Sequence, residues 1–469
     1  MSANDLLIRN VEVGGRPGLD VRLAGGRIAE IGSSLRGGDA DIDGRGGALI
    51  PGLIDHHIHL FGLAAQAASI RLEPEVAPTA LALERALRTK DAALPPGVWL
   101  RGVGYSEGGG ETLDRRALDR IVPHRPVRIQ HRTGGLWVLN SAALAQVLPP
   151  GEAPDCVERD TDGEPTGRIW RGDDWLRGRL NGAPPSLAQV SADLARCGVT
   201  GVTDASVTND AAQAAVFARA IENGELFQRL MLMSGGALEN AENGAYRVGP
   251  VKILLDDDRL PDLDDVIDTI ARARAWNRAV AVHCVTAGEL AFTLAAFSAA
   301  GARRGDRIEH GGVVHPEATA RIAELGLTVV TQPAFVAGRG DRYLAEVDAA
   351  DVDHLYPCAS LIAAGVPVAG SSDAPYASAD PWAAMATAVG RMTRGGWPIG
   401  LNERIDARRA LGLYLGDFDD PGGPPQAVVV GARADLCLLR APLAEALGRL
   451  GADRVAATLI DGRVVHDGR

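Results

Sequence analysis

Lysine is almost missing from this chain: among 48 lysine and arginine residues only two, Lys90 and Lys252, are lysine. Cysteine is sparse as well. Cys156, Cys197, Cys284, Cys358 and Cys437 are scattered, odd in number and never spaced as a C-x-x-C pair. That argues against a disulfide framework or a zinc knuckle and points to reduced thiols in a cytoplasmic protein. No run approaches the roughly 18 uncharged apolar residues of a membrane span. The opening "MSANDLLIRN" lacks the basic and apolar regions of a secretory signal. No basic run is present and the formal net charge is −12, so nucleic acid is not an expected partner. What remains is globular: 46% hydrophobic and 23% charged over 469 residues, long enough for several domains or one large barrel with additions.

The two ends read alike. Residues 5–50 and the last stretch, with "ADLCLLR" and "VAATLIDGRVVHDG", alternate apolar positions between glycine turns. Neither end has enough apolar surface for a core of its own, so residues 1–50 and 425–469 are expected to pair into one small β-sandwich. The segment 51–424 lies between them, and "PGGPP" at 421–425 marks its exit. Its pattern is βα units: "LIDHHIH", then "VTGVTDAS", "QRLMLMS", "VKILLD", "VAVHCV", "RIEHG", "TVVTQP" and "VAGSSDAP". Eight parallel strands predict a (β/α)8 TIM-like barrel, an α/β fold. Residues 61–185 become an excursion after the first strand, with a hairpin at "CVERDTDGEPTGRIWRG". An insertion of that length is expected to be a structured lid or substrate subdomain.

In such barrels chemistry sits at the carboxyl ends of the strands. Strand one ends in His57-Ile58-His59, strand four begins Val251-Lys252-Ile253, strand five ends in His283, strand six in His310 and strand eight in Asp373. His-x-His on a strand turns both imidazoles to one face, a chelating pair for zinc or a similar ion; the bland alternative is two half-buried structural histidines. Alternation turns His56 and Cys284 away from the axis, as packing residues. Asp55 shares the face of His57 and is read as the partner that orients it. His315, His354 and His466 are read as surface or packing residues. Lys252 is flanked by apolar residues in "GPVKILLDD". A desolvated lysine can lose its proton, take up carbon dioxide and become a carbamate able to bridge two metals. The alternative is a lysine that reaches the rim or pairs with Asp256.

The set His-x-His, lysine, histidine, histidine, aspartate resembles the two-metal form of the amidohydrolase superfamily. The closer likeness is to the amidohydrolase-3 group of YtcJ-like and N-substituted formamide deformylase-like proteins. "GGALIPGLIDHHIHL", "LDRIVPHRPVRIQHRTGGLWVLNSAAL", "DGEPTGRI", "VTQPAF" and "GSSDAPYASADPWAAMATAVGRMTRGG" carry it. The resemblance implies that His57, His59 and Asp373 hold one divalent metal ion. It implies that His283 and His310 hold a second, with carboxylated Lys252 as bridging ligand and zinc as the default metal. A hydroxide between the metals would attack a small amide or formamide, with Asp373 as the catalytic acid–base. A cyclic amide, carbamate, ester or lactone is the alternative substrate, and a non-catalytic relative the remote one. Two stretches depart from the group. Thr133-Gly134-Gly135-Leu136 replaces an Asp-Gly-His-Ser-like run, with His131 and Arg132 as stand-ins, and Val285-Thr286-Ala287-Gly288 replaces an Ile-Gly-Asp turn. His131, Arg132, Trp137 and Gln332 are the candidate substrate-binding residues. A small molecule is the expected partner, and family analogy adds a homodimer.

Overall fold

The apolar runs between residues 53 and 370 form one eight-stranded parallel sheet in a computed structural model, which describes residues 6–37, 40–74, 76–107, 112–149, 154–172, 175–176, 178–179 and 184–469. The strands are β1 (Leu53–Ile58), β2 (Val199–Asp204), β3 (Arg229–Ser234), β4 (Tyr246–Ile253), β5 (Val280–Cys284), β6 (Arg307–His310), β7 (Thr328–Thr331) and β8 (Val368–Gly370). They follow one another in sequence order around the sheet. Helices such as Ala211–Glu222, Leu263–Ala275, Ala287–Ala300 and Pro316–Leu325 connect them. Every residue of β1 and β2 is buried, as expected when side chains fill the barrel on one face and meet helices on the other. The expected (β/α)8 architecture is therefore the observed one.

The barrel closes where β8 returns to β1, and the closure is made outside the strand ladders. At the carboxyl end the Asp373 N–H donates to the His57 carbonyl and the His59 N–H to the Ala374 carbonyl, both at 2.8 Å. At the opposite end the backbone of Leu413 and Tyr414 fills the gap. Ile54 N–H donates to Tyr414 O at 2.9 Å and Gly370 N–H to Leu413 O at 2.8 Å. Gly370 must be glycine for this, since a Cβ there would stand 2.6 Å from the Tyr414 ring.

One boundary differs from expectation. β4 starts at Tyr246, so Lys252 stands near its end instead of its beginning. Tyr246, Arg247 and Val248 are held by pairing with Leu230, Met231 and Leu232 of β3, a backbone constraint that an apolar pattern does not reveal.

By contacts the chain divides into Met1–Leu60 with Ser186–Arg469, and Phe61–Pro185. The first unit holds the barrel and two four-stranded sheets. One runs in the order Arg27–Gly32, Arg16–Ala24, Leu6–Val13, Ala40–Asp43. The other runs Arg463–Asp467, Val455–Ile460, Leu436–Leu439, Leu49–Pro51. Ile8, Val21, Leu49, Leu438 and Leu459 from both sheets share one buried cluster. The second unit has its own six-stranded sheet, ordered Val157–Arg159, Pro165–Trp170, Leu136–Leu139, Val127–His131, Leu100–Tyr105, Ile70–Arg71. The first two are the antiparallel hairpin expected from the sequence. Leu87, Leu100, Leu118 and Val127 form one of its cores. Among the described residues no helix is long and apolar enough to cross a membrane.

Because the Tyr414 ring fills the space a methyl would need, Gly370→Ala is expected to cost about 1–3 kcal/mol by overpacking. Urea denaturation of the metal-free protein measures this; an unchanged midpoint would show that the seam yields.

Candidate metal centre

The barrel brings to one rim groups that lie far apart in the chain. His57, His59 and Asp373 each offer one donor atom, all within 4.8 Å of one another. The Asp373 Oδ1 is 3.4 Å from His57 Nε2 and 3.2 Å from His59 Nε2. The ring of His310 lies 4.5 Å from that of His283 and 4.8 Å from that of His57, centroid to centroid. The two histidine pairs read from the sequence thus form one cluster.

Three of the four rings are tethered through Nδ1. His57 Nδ1 contacts the buried Glu309 carboxylate, His59 Nδ1 lies 3.0 Å from Ser206 Oγ, and His310 Nδ1 lies 2.8 Å from Gln332 Oε1. Fixing Nδ1 leaves Nε2 as the free nitrogen, the arrangement in which an imidazole binds a metal and a partner sets its tautomer. Burial pushes His57 and His310 well below the ordinary imidazole pKa, with Lys252 and the neighbouring histidines adding to it. Burial, then Lys252, brings His283 down to about 3. His57, His283 and His310 are therefore neutral and ready to ligate.

Local backbone explains two of the positions. β5 and β6 pair with His283 opposite Glu309 and Cys284 opposite His310. Cys284 faces outward, its thiol 3.2 Å from Thr293 Oγ1 on the following helix. Alternation alone would send His310 outward with it. Instead His310 takes a left-handed φ of 74° and its ring meets His283. Asp373 has a φ of 51°. Non-glycine residues are uncommon in this region, and these two stand at the end of β6 and in the loop after β8, where the cluster forms. The turn after His310 also needs glycine, because a Cβ at Gly312 would stand 2.3 Å from the Val285 carbonyl oxygen.

Lys252 is 4% exposed, and its Nζ is a buried polar atom with no hydrogen-bond partner. Burial lowers its pKa, against the pull of Glu309 and Asp373. No pairing with Asp256 forms; that carboxylate instead accepts from the Asp258 N–H at 3.2 Å. Asp373 Oδ1 is likewise without a hydrogen-bond partner. Unfilled nitrogen and oxygen donors at one rim are what a divalent metal ion would satisfy, so the residues present fit the implied metal.

Several sequence expectations change. Asp55 does not orient the His57 ring: its Oδ1 accepts the backbone N–H groups of His57 at 3.2 Å and Ser372 at 3.0 Å, tying β1 to the loop after β8. Gln332 does not present its amide to a substrate carbonyl. It is fully buried, with its oxygen on His310 and its nitrogen 2.9 Å from Ser371 Oγ. Trp137 is 5% exposed and packs with Leu139 and Ala143 in a core of the second unit, with the Arg128 guanidinium 5.4 Å from its ring centroid. His131, in the same unit, has its Nδ1 2.9 Å from Thr133 Oγ1, and Arg132 is exposed. Val285–Gly288 begins a helix: Thr286 and Glu289 form a capping box, and Glu289 Oε2 also accepts from Val285 N–H at 2.7 Å. His315, by contrast, is where the sequence reading has it: it bonds Asp351 at 2.8 Å and its ring lies 4.4 Å from that of His354, outside the cluster.

Glu309 and Ser206 escaped the sequence reading. Ser206 left no signal, but Arg307-x-Glu309 did. Two charges of opposite sign share the inward face of a strand that ends in a candidate ligand.

Imidazoles, a carboxylate and a buried amine gathered in this way are the donor set of a metal-dependent hydrolase. The chain belongs to the amidohydrolase family, whose Amidohydro_3 model matches residues 41–466. It is 26% identical to N-substituted formamide deformylase of Arthrobacter pascens, over 97% of this chain and 96% of that protein. The fold is shared with an uncharacterized metal-dependent hydrolase from Pyrococcus horikoshii OT3, at TM-score 0.77 and 19% identity over 98% of this chain and 100% of that one. A second such hydrolase, from Pyrococcus furiosus, gives TM-score 0.73 and 21% identity over 92% and 97%.

His56 is fully buried with neither ring nitrogen bonded, and burial takes it from 6.5 down to about 3. The unfolded chain therefore binds a proton that the folded one refuses. Stability is full above about pH 6.5 and is lost as pH falls toward 3. Thermal melts of metal-free protein are expected to show this acid sensitivity, and His56→Leu to reduce it. An unchanged pH slope in the variant would remove His56 as a source.

Proposed function

We propose that this protein hydrolyses a small amide, of formamide type, at a centre of two divalent metal ions, zinc by default. His57, His59 and Asp373 would hold one ion and His283 and His310 the other, with Lys252, carboxylated, between them. The observation that carries the reading is the buried, partnerless Lys252 Nζ beside His57, His283 and His310, three imidazoles that burial drives toward their neutral form. A neutral amine in that setting is nucleophilic enough to add to carbon dioxide, and the carbamate so formed has two oxygens to offer.

When bound, the metals supply a Lewis acid for the carbonyl and bring the pKa of water toward neutrality. The chain's own groups do the rest. Glu309, Ser206 and Gln332 hold three imidazoles by Nδ1 so that each Nε2 faces the centre. Asp373, with one oxygen unbonded, accepts the proton that attacking water gives up. It returns that proton to the departing nitrogen as the C–N bond breaks, which an amine requires to leave. The named activity of the Arthrobacter relative supports the formamide choice.

We read the chain as three parts: the sandwich of 1–50 and 425–469, the catalytic barrel of 51–424, and the insertion 61–185 as substrate subdomain. His131 and Arg132 are carried as candidate contacts for the acyl or amine portion. The unpaired cysteines support a reducing, cytoplasmic setting, and family analogy supports a homodimer.

Metal analysis of protein purified with bicarbonate and without chelator is expected to give about two ions per chain. Lys252→Arg is expected to lose two-metal binding and turnover; wild-type turnover in it would exclude the carbamate. Asp373→Asn is expected to lower kcat by at least about 100-fold. A variant within tenfold of wild type would remove Asp373 from proton transfer.

A further inference from the structure

Arg307 and Glu309 lie on β6, are 1% and 0% exposed, and reach across the barrel to β1. Arg307 Nε donates to Glu309 Oε1 at 2.5 Å and its NH2 group donates to the His56 carbonyl at 2.9 Å, with Met233 Sδ at 3.9 Å. The other Glu309 oxygen, Oε2, meets His57 Nδ1. β1 and β6 are not neighbours in the sheet, so this chain of contacts is a brace through the interior. We propose that Arg307 and Glu309 are positioning residues for the metal centre: together they fix His57 as its Nδ1–H tautomer and aim its Nε2 at the site. This rests on the reading of His57 as a metal ligand.

The geometry assigns each group a task. An ionised carboxylate can only accept, so the proton between Glu309 and His57 sits on Nδ1 and the Nε2 lone pair is left for the metal. Glu309 is wholly out of water, so each of its oxygens needs a partner. The planar guanidinium meets it at Oε1, while His57 takes Oε2, and is itself held by the His56 carbonyl of β1. Removal of Arg307 therefore weakens the ligand through Glu309, without touching the metal.

Chelator competition on the holoenzyme and its variants reads metal affinity, melting of the metal-free forms reads folding, and the visible spectrum of the cobalt-substituted protein reads ligand geometry. Glu309→Gln and Arg307→Met are each expected to lower affinity for one metal by about 10- to 100-fold and to alter the cobalt spectrum. The double variant removes both buried charges. It is expected to regain melting temperature over the single variants while metal affinity stays low, which a purely structural role would not produce. Affinity that recovers together with melting temperature, or single variants that bind as wild type, would overturn the proposal. If none of the variants folds, nitrogen NMR of the wild-type imidazoles decides: a proton on His57 Nε2 in the metal-free protein would refute it, one on Nδ1 supports it. Wild-type protein that binds no metal would instead overturn the two-metal reading on which this rests.

Discussion

The site depends on how the barrel closes. A parallel sheet of eight strands has two free edges unless the last returns to the first, and here that return is made by residues of the candidate metal centre. The Asp373 N–H bonds the His57 carbonyl, and the His59 N–H bonds the Ala374 carbonyl. Side chains of Asp373, His57 and His59 can converge because their backbones are already joined. The Asp55 carboxylate adds a third tie, from β1 to Ser372. At the other end Leu413 and Tyr414 wedge the same gap, which is why β8 carries glycine where the ring must lie.

Within that frame the interior is unusually rich in ionisable groups. Asp55, His56, His57, Lys252, Arg307, Glu309, His310 and Asp373 are all buried. Burial penalises each charge, and the structure answers in two ways. Arg307 and Glu309 are hydrogen-bonded to each other. The histidines and Lys252 are driven toward neutral forms, which are the forms that bind metal or react with an electrophile. The desolvation that makes the fold sensitive to acid through His56 is thus the same effect that prepares the histidines beside it.

Much of this was legible in the sequence because strand periodicity and apolar runs encode it directly. His57 and His59 share a face, and the strands ending at His283, His310 and Asp373 fall in order around the barrel. What escaped did so for physical reasons. The amino-terminal half of β4 is not a continuous apolar run and is held by pairing with β3 and by bonds to Asn240 and Asp419. His310 reaches the centre through a left-handed turn that contradicts simple alternation. Asp55 and Gln332 were recognised as inward polar residues, but their hydrogen-bond partners come from other strands, so their tasks could not be read from local order. Trp137 is buried by the sheet and core of the second unit, which spacing along the chain does not disclose.

The near absence of lysine has a chemical consequence of its own. Lys252 is shut inside the barrel, whereas Lys90 sits partly exposed in the last turn of the helix Ala80–Ala93. Reagents that attack side-chain amines therefore meet a single accessible target, on the inserted unit. Coupling through it would tether the protein to a surface or a dye in one defined orientation while leaving the buried amine untouched.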